Sequence, residues 1–168
     1  MKQYILLIII GGAILLLMVA GCIQNPPTPT PFPTPGMEKD FTLLDLTGHT
    51  FTLSEHLGKP IVLCFFMANC PACKNEVPNL NTVYQKYHES DQLMVVGIGI
   101  RSGIAEFVQT QGSQYLVLQD DENETVSDLY GVRGVPHNVF INRQGIITRQ
   151  IEKSLSFSEL EQYIKEIL

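Results

Sequence analysis

The chain has 168 residues, 45% of them hydrophobic, with 13 Gly, 10 Pro and 4 Cys. That is enough for one compact domain and too short for two ordinary ones. A formal charge of −6 argues against a basic nucleic-acid-binding surface, and the apolar content is too high for a disordered chain.

Lys2 is the only charge ahead of a run over residues 5–20 that has no polar side chain. The run is slightly short for a membrane-spanning helix, which needs about 20 residues. It suits the apolar core of a secretory signal. Val19-Ala20-Gly21-Cys22 then resembles the lipobox of bacterial and archaeal lipoproteins. The resemblance implies a signal peptide over residues 1–21, cleavage before Cys22, and a lipid on the Cys22 thiol. The alternative is an uncleaved signal anchor in which Cys22 is incidental. Both readings place the rest of the chain outside the cytoplasm.

Residues 22–37 read as a tether. Pro26, Pro27, Pro29, Pro31, Pro33 and Pro35 alternate mainly with threonine. Their missing N–H donors exclude helix and central strand. Extended polyproline II at roughly 3.1 Å per residue makes a semi-rigid spacer of about 30 Å.

Residues 38–168 read as alternating strands and helices. Phe41-Thr42-Leu43-Leu44-Asp45-Leu46 and Thr50-Phe51-Thr52-Leu53 flank a glycine-containing turn, which predicts a hairpin. Ile61-Val62-Leu63-Cys64-Phe65-Phe66 is a continuous apolar run, the pattern of a strand buried on both faces. A helix follows from Pro71, with Val77, Leu80, Tyr84 and Tyr87 on its inner face and Pro78 as a kink. Residues 93–100 predict a second buried strand, and Ile104, Phe107 and Val108 a short helix. Residues 115–118 predict a strand. Val126, Leu129 and Tyr130 predict a helical turn closed by Gly131. Val139-Phe140-Ile141 and Ile146-Ile147-Thr148 flank the turn sequence Asn142-Arg143-Gln144-Gly145. Ser156 and Glu159 form a capping box for a last helix that buries Phe157, Leu160, Ile164 and Ile167. This order specifies an α/β fold, a mixed sheet with helices on both faces.

The chemistry lies in Cys70-Pro71-Ala72-Cys73. Pro71 suits the first helical position, which puts Cys70 at the N-cap. Unpaired N–H groups and the helix dipole there favour a thiolate on Cys70. Cys73 lies one turn further on the same side, within disulfide reach. The pair can attack a disulfide through Cys70 and resolve the mixed disulfide through Cys73. A structural disulfide and half of a zinc site are the competing readings. His49, His56, His88 and His137 are scattered and offer no second ligand pair. Cys64 is left over, most simply a small buried residue, with a second redox partner as the sharper alternative.

Further pieces accompany the cysteines in order: Leu57-Gly58-Lys59, Glu76-Val77-Pro78, Tyr130-Gly131-Val132-Arg133-Gly134-Val135-Pro136 and Phe140-Ile141-Asn142-Arg143-Gln144-Gly145. Together they resemble the thioredoxin fold, specifically the membrane-tethered thiol-disulfide oxidoreductases of the TlpA/ResA type, with an N-terminal β-hairpin extension. The resemblance implies a cis bond at Val135-Pro136 that leaves the Val135 backbone free for a substrate strand. It implies that Glu76 relays a proton to or from Cys73, a partly buried carboxylate there resisting ionisation.

The departures fall at Phe66 and Asn69, where the family has Trp, and at His137, where Thr is usual. Near Cys70, a charged His137 would favour the thiolate below about pH 6.5; the alternative is an exposed side chain without a role.

The implied activity is reduction of protein disulfides, such as those of apocytochrome c, by a monomer that needs no cofactor and holds no metal. Electrons would come from a membrane thiol donor. Two rivals share the fold. A peroxiredoxin-like peroxidase wants Pro and Thr or Ser ahead of its cysteine, which Phe66-Met67-Ala68-Asn69 does not supply. A copper chaperone would use Cys70, Cys73 and His137 or Met67, although its family spaces the cysteines more widely.

Overall fold

The computed structural model describes residues 39–90 and 92–168. The apolar leader, Cys22 and the proline tether lie outside the described residues. Seven strands form one sheet in the order β2-β1-β5-β4-β3-β6-β7. They are β1 (Thr42–Asp45), β2 (Thr50–Thr52), β3 (Ile61–Met67), β4 (Met94–Ile100), β5 (Leu116–Gln119), β6 (His137–Ile141) and β7 (Ile147–Ile151). The helices are α1 (Pro71–Tyr87), α2 (Ile104–Gln111), α3 (Thr125–Tyr130) and α4 (Phe157–Lys165). Strands β3, β4 and β5 run parallel, and every other pairing is antiparallel. This is a thioredoxin-like mixed sheet flanked by helices.

The apolar run of β3 is central because it can bury both faces. Val62, Cys64 and Phe66 join the core under α1, α2 and α4. Ile61, Leu63 and Phe65 join the opposite core with Val126 and Tyr130 of α3. Alternation along the strand thus feeds two cores from one segment. At the far edge Leu43 stands opposite Phe51 across β1 and β2. The turn between them is closed by Asp45, whose carboxylate accepts from the backbone amides of Thr47 and His49.

Three expectations are corrected by packing. On α1 the inner face carries Cys73, Glu76, Val77, Leu80, Val83 and Tyr87. Tyr84 is only half-buried and stacks on His88 with ring centroids 4.6 Å apart. In α3 Leu129 points outward and Ser127 inward. The cause is Asp120, at the end of the β5 segment, which accepts from the amides of Val126 and Ser127 and from the Ser127 hydroxyl. In α4 Phe157 is half-buried at the first helical position, and Leu155, just ahead of the cap, takes the core position. The Ser156–Glu159 capping box itself is complete. Helix α1 continues through Pro78, which removes one ladder donor without ending the helix.

Candidate active site

Cys70 caps α1 in extended conformation (φ −87°, ψ 112°) and Pro71 occupies the first turn. The β3 strand delivers this cap, because Ala68-Asn69 form the short bridge from the sheet into the helix. Cys70 and Cys73 are joined as a disulfide with Cα atoms 5.3 Å apart. The Cys73 backbone amide donates to Cys70 Sγ at 3.1 Å. Cys70 remains partly accessible, whereas Cys73 is 3% exposed. An incoming disulfide therefore meets Cys70 first.

The loop before β6 closes the other side. Val135-Pro136 is a cis peptide, and the Val135 carbonyl oxygen lies 3.6 Å from Cys70 Sγ. Beside the cap is a cleft of about 330 Å³ lined by Ala68, Asn69, Lys74, Gly103, Glu106 and Phe107. Asn69 is exposed at its rim. Phe66 is buried and packs on Phe107 with centroids 4.7 Å apart.

Glu76 lies one turn below Cys73 and is fully buried rather than partly so. Its Oε1 accepts from Asn138 Nδ2 at 2.9 Å and from the Leu155 amide at 2.7 Å. Its Oε2 accepts from the Cys64 thiol at 3.6 Å. Burial pushes the carboxyl pKa up to about 7, and these three donors hold it from rising further. Burial, followed by the nearby Glu76 charge, pushes the Cys64 thiol well above the usual range.

His137 is buried, not exposed. Its Nε2 pairs with Gln150 Oε1 at 2.9 Å, and Nδ1 is 4.0 Å from Glu152 Oε2. Its ring meets Phe65 edge-on in the core opposite to that of the cysteines. Among the described residues no three His, Cys, Asp or Glu side chains form a metal-binding group. The structure thus gathers Cys70, Cys73, Glu76, Val135 and Pro136 around one helix start. Sequence reading missed Asn138 and the Leu155 amide. An amide side chain at the head of the apolar Val139-Phe140-Ile141 run was the available signal for the first; a backbone amide leaves no signal.

A partly exposed helix-capping cysteine, a buried partner and an adjoining cis-proline loop on this fold define a thiol-disulfide oxidoreductase. Comparison with known proteins agrees. Residues 37–150 match the AhpC/TSA family, so the chain belongs to that family. It is 26% identical over 130 residues to the thiol-disulfide oxidoreductase ResA of Geobacillus kaustophilus, covering 76% of this chain and 74% of that one. It is 29% identical over 130 residues to ResA of Bacillus anthracis, with 76% and 75% covered. Among solved structures, a secreted Mycobacterium tuberculosis disulfide oxidoreductase homologous to E. coli DsbE superposes with a TM-score of 0.67 at 27% identity, over 75% of this chain and 95% of that one.

Proposed function

We propose that the protein is a membrane-tethered, extracytoplasmic reductant of protein disulfides. The observation that carries the exchange chemistry is the Cys73 amide directed at Cys70 Sγ at the start of α1, which makes Cys70 the nucleophile; the reducing direction comes from the TlpA/ResA resemblance. That donor and the helix dipole stabilise negative charge on Cys70.

The Cys70 thiolate attacks one sulfur of a substrate disulfide. A Cys70–substrate bond forms, the substrate disulfide breaks, and one substrate sulfur leaves as a thiolate that is then protonated. Cys73 then gives its proton to Glu76 and attacks Cys70 Sγ. The intramolecular disulfide forms, and the second substrate sulfur leaves and is protonated. The substrate gains two electrons, which the cysteine pair loses. A carboxyl with a pKa of about 7 is suited to take up the Cys73 proton near neutral pH. A disulfide sulfur carries no proton, so a Glu76–Cys73 hydrogen bond belongs to the reduced form. The Val135 backbone, next to Cys70, is the edge on which an extended substrate segment pairs.

Cys22 carries the lipid, residues 22–37 hold the domain off the membrane, and the domain acts as a monomer. A membrane dithiol donor returns the electrons, and apocytochrome c is the substrate class. The reduction potential of the Cys70–Cys73 couple tests the direction. A value near or below about −250 mV fits a reductant, and one near about −120 mV overturns it in favour of a disulfide donor. Loss of the Cys22→Ala chain from the lipid-soluble phase tests the anchor. Peroxide consumption at a rate matching disulfide exchange would favour the peroxidase reading instead.

A further inference from the structure

Cys64 on β3 and Asn138 on β6 are direct cross-strand partners. Both side chains therefore leave the sheet on the same face, toward α1. They reach the same carboxylate from two sides. Asn138 Nδ2 donates to Glu76 Oε1 and also to the Lys153 carbonyl at 3.3 Å, which fixes the orientation of its amide. Cys64 donates to Oε2.

The two oxygens are consequently unequal. Oε1 faces two N–H donors, Asn138 and the Leu155 amide. A proton placed there would point at hydrogens. Oε2 faces a thiol, which donates through S–H and accepts, weakly, through sulfur. Only on Oε2 does the carboxyl keep a partner in both of its protonation states.

We propose that Cys64 is a positioning residue for the exchange reaction: its thiol makes Oε2 the oxygen of Glu76 that takes up and releases the proton, and steadies the ionised form. Oε1 is the anchored oxygen and Oε2 the working one. The role rests on the acid–base reading of Glu76 above.

The surroundings leave Glu76 as the group that changes near neutrality. Cys64 stays protonated, as does Tyr115, whose phenol burial pushes far upward. On α4 Glu159 pairs with Lys153 and is held down to about 2, so its charge is constant. In the oxidised protein Cys73 has no proton to lose. His137 points to the opposite sheet face.

The test follows the Glu76 carboxyl band by infrared spectroscopy in the oxidised full chain, with Glu76→Gln identifying the band. Cys64→Ala should raise the midpoint by roughly one unit, since the ionised form loses a donor. Cys64→Ser keeps a donor and should hold the midpoint at or below that of the parent. A midpoint unmoved in Cys64→Ala, or moved alike in both variants, overturns the proposal. Should the variants not fold, the oxidised Cys22→Ala chain has Cys64 as its one thiol, and its S–H stretch should shift as Glu76 titrates. A static band overturns the proposal. The pH profile of mixed-disulfide resolution should move with the midpoint. A profile that stays put while the midpoint moves overturns the acid–base reading of Glu76 and the positioning role with it. A static midpoint overturns the positioning role alone.

Discussion

The backbone amide of Cys73 points at Cys70 Sγ from 3.1 Å, and the Val135 carbonyl approaches the same sulfur from the other side at 3.6 Å. Cys70 is thus held between a donor that favours its thiolate and an acceptor that a protonated thiol would use. Cys73, 3% exposed, is shielded from an incoming protein. In the proposed mechanism this asymmetry makes Cys70 the attacking thiol and Cys73 the resolving one.

Cys73→Ser should accumulate mixed disulfides with substrate, because the intermediate forms at Cys70 and lacks its resolving thiol. Cys70→Ser should accumulate none. Non-reducing electrophoresis after exposure to a disulfide-bonded protein distinguishes the two, and the reverse pattern would refute the assignment.

Asp120 is 3% exposed and receives the amides of Asp121, Val126 and Ser127 as well as the Ser127 hydroxyl. It ties the end of β5 to the first turn of α3. Asp120→Ala leaves those buried donors unpaired, and the expected loss is about 2–4 kcal/mol in urea unfolding. A loss under about 0.5 kcal/mol would mean that water replaces the carboxylate without cost.

Gly99 on β4 lies beneath Ile104, the first residue of α2. A Cβ there would stand 2.5 Å from Ile104 Cγ2 and 2.6 Å from Cγ1. Ile104 is β-branched and buried, so it has little freedom to yield. Gly99→Ala should cost about 1–3 kcal/mol of stability by overpacking. Unfolding midpoints in urea would show it, and an unchanged midpoint would mean that α2 shifts freely on the sheet.

The cysteine pair was legible from sequence because its meaning is local. Pro71 and a three-residue separation suffice to place two sulfurs at a helix start. The β3 strand was legible because its apolar run has no other stable fate. The surroundings of Glu76 were not, since they depend on register. Cys64 faces Asn138 only because of the register in which β3 pairs with β6, two strands about seventy residues apart in the chain, and no local pattern around Asn138 sets that register. The inward turn of Ser127 was likewise hidden, because Asp120, seven residues away, overrides the spacing that favoured Leu129.

Glu76 couples this chemistry to stability. Its carboxyl pKa rises from the model-compound value of 4.5 to about 7 on folding, with burial as the largest cause. The native state therefore binds a proton that the unfolded state has already released across that interval. Stability contributed by the neutral carboxyl is complete below about pH 4.5, declines as pH rises, and is lost above about pH 7. A shift of this size corresponds to about 3 kcal/mol. Glu76→Gln preserves the shape, leaves a carbonyl for Asn138 and Leu155, and removes the charge. The variant should match the parent near pH 4 and exceed it at pH 8 by an amount approaching that figure, while resolving mixed disulfides more slowly. Urea unfolding of both oxidised chains at the two pH values isolates the effect, because other titrating groups cancel in the difference. A gap that does not widen with pH would show that Glu76 ionises without penalty in the folded protein.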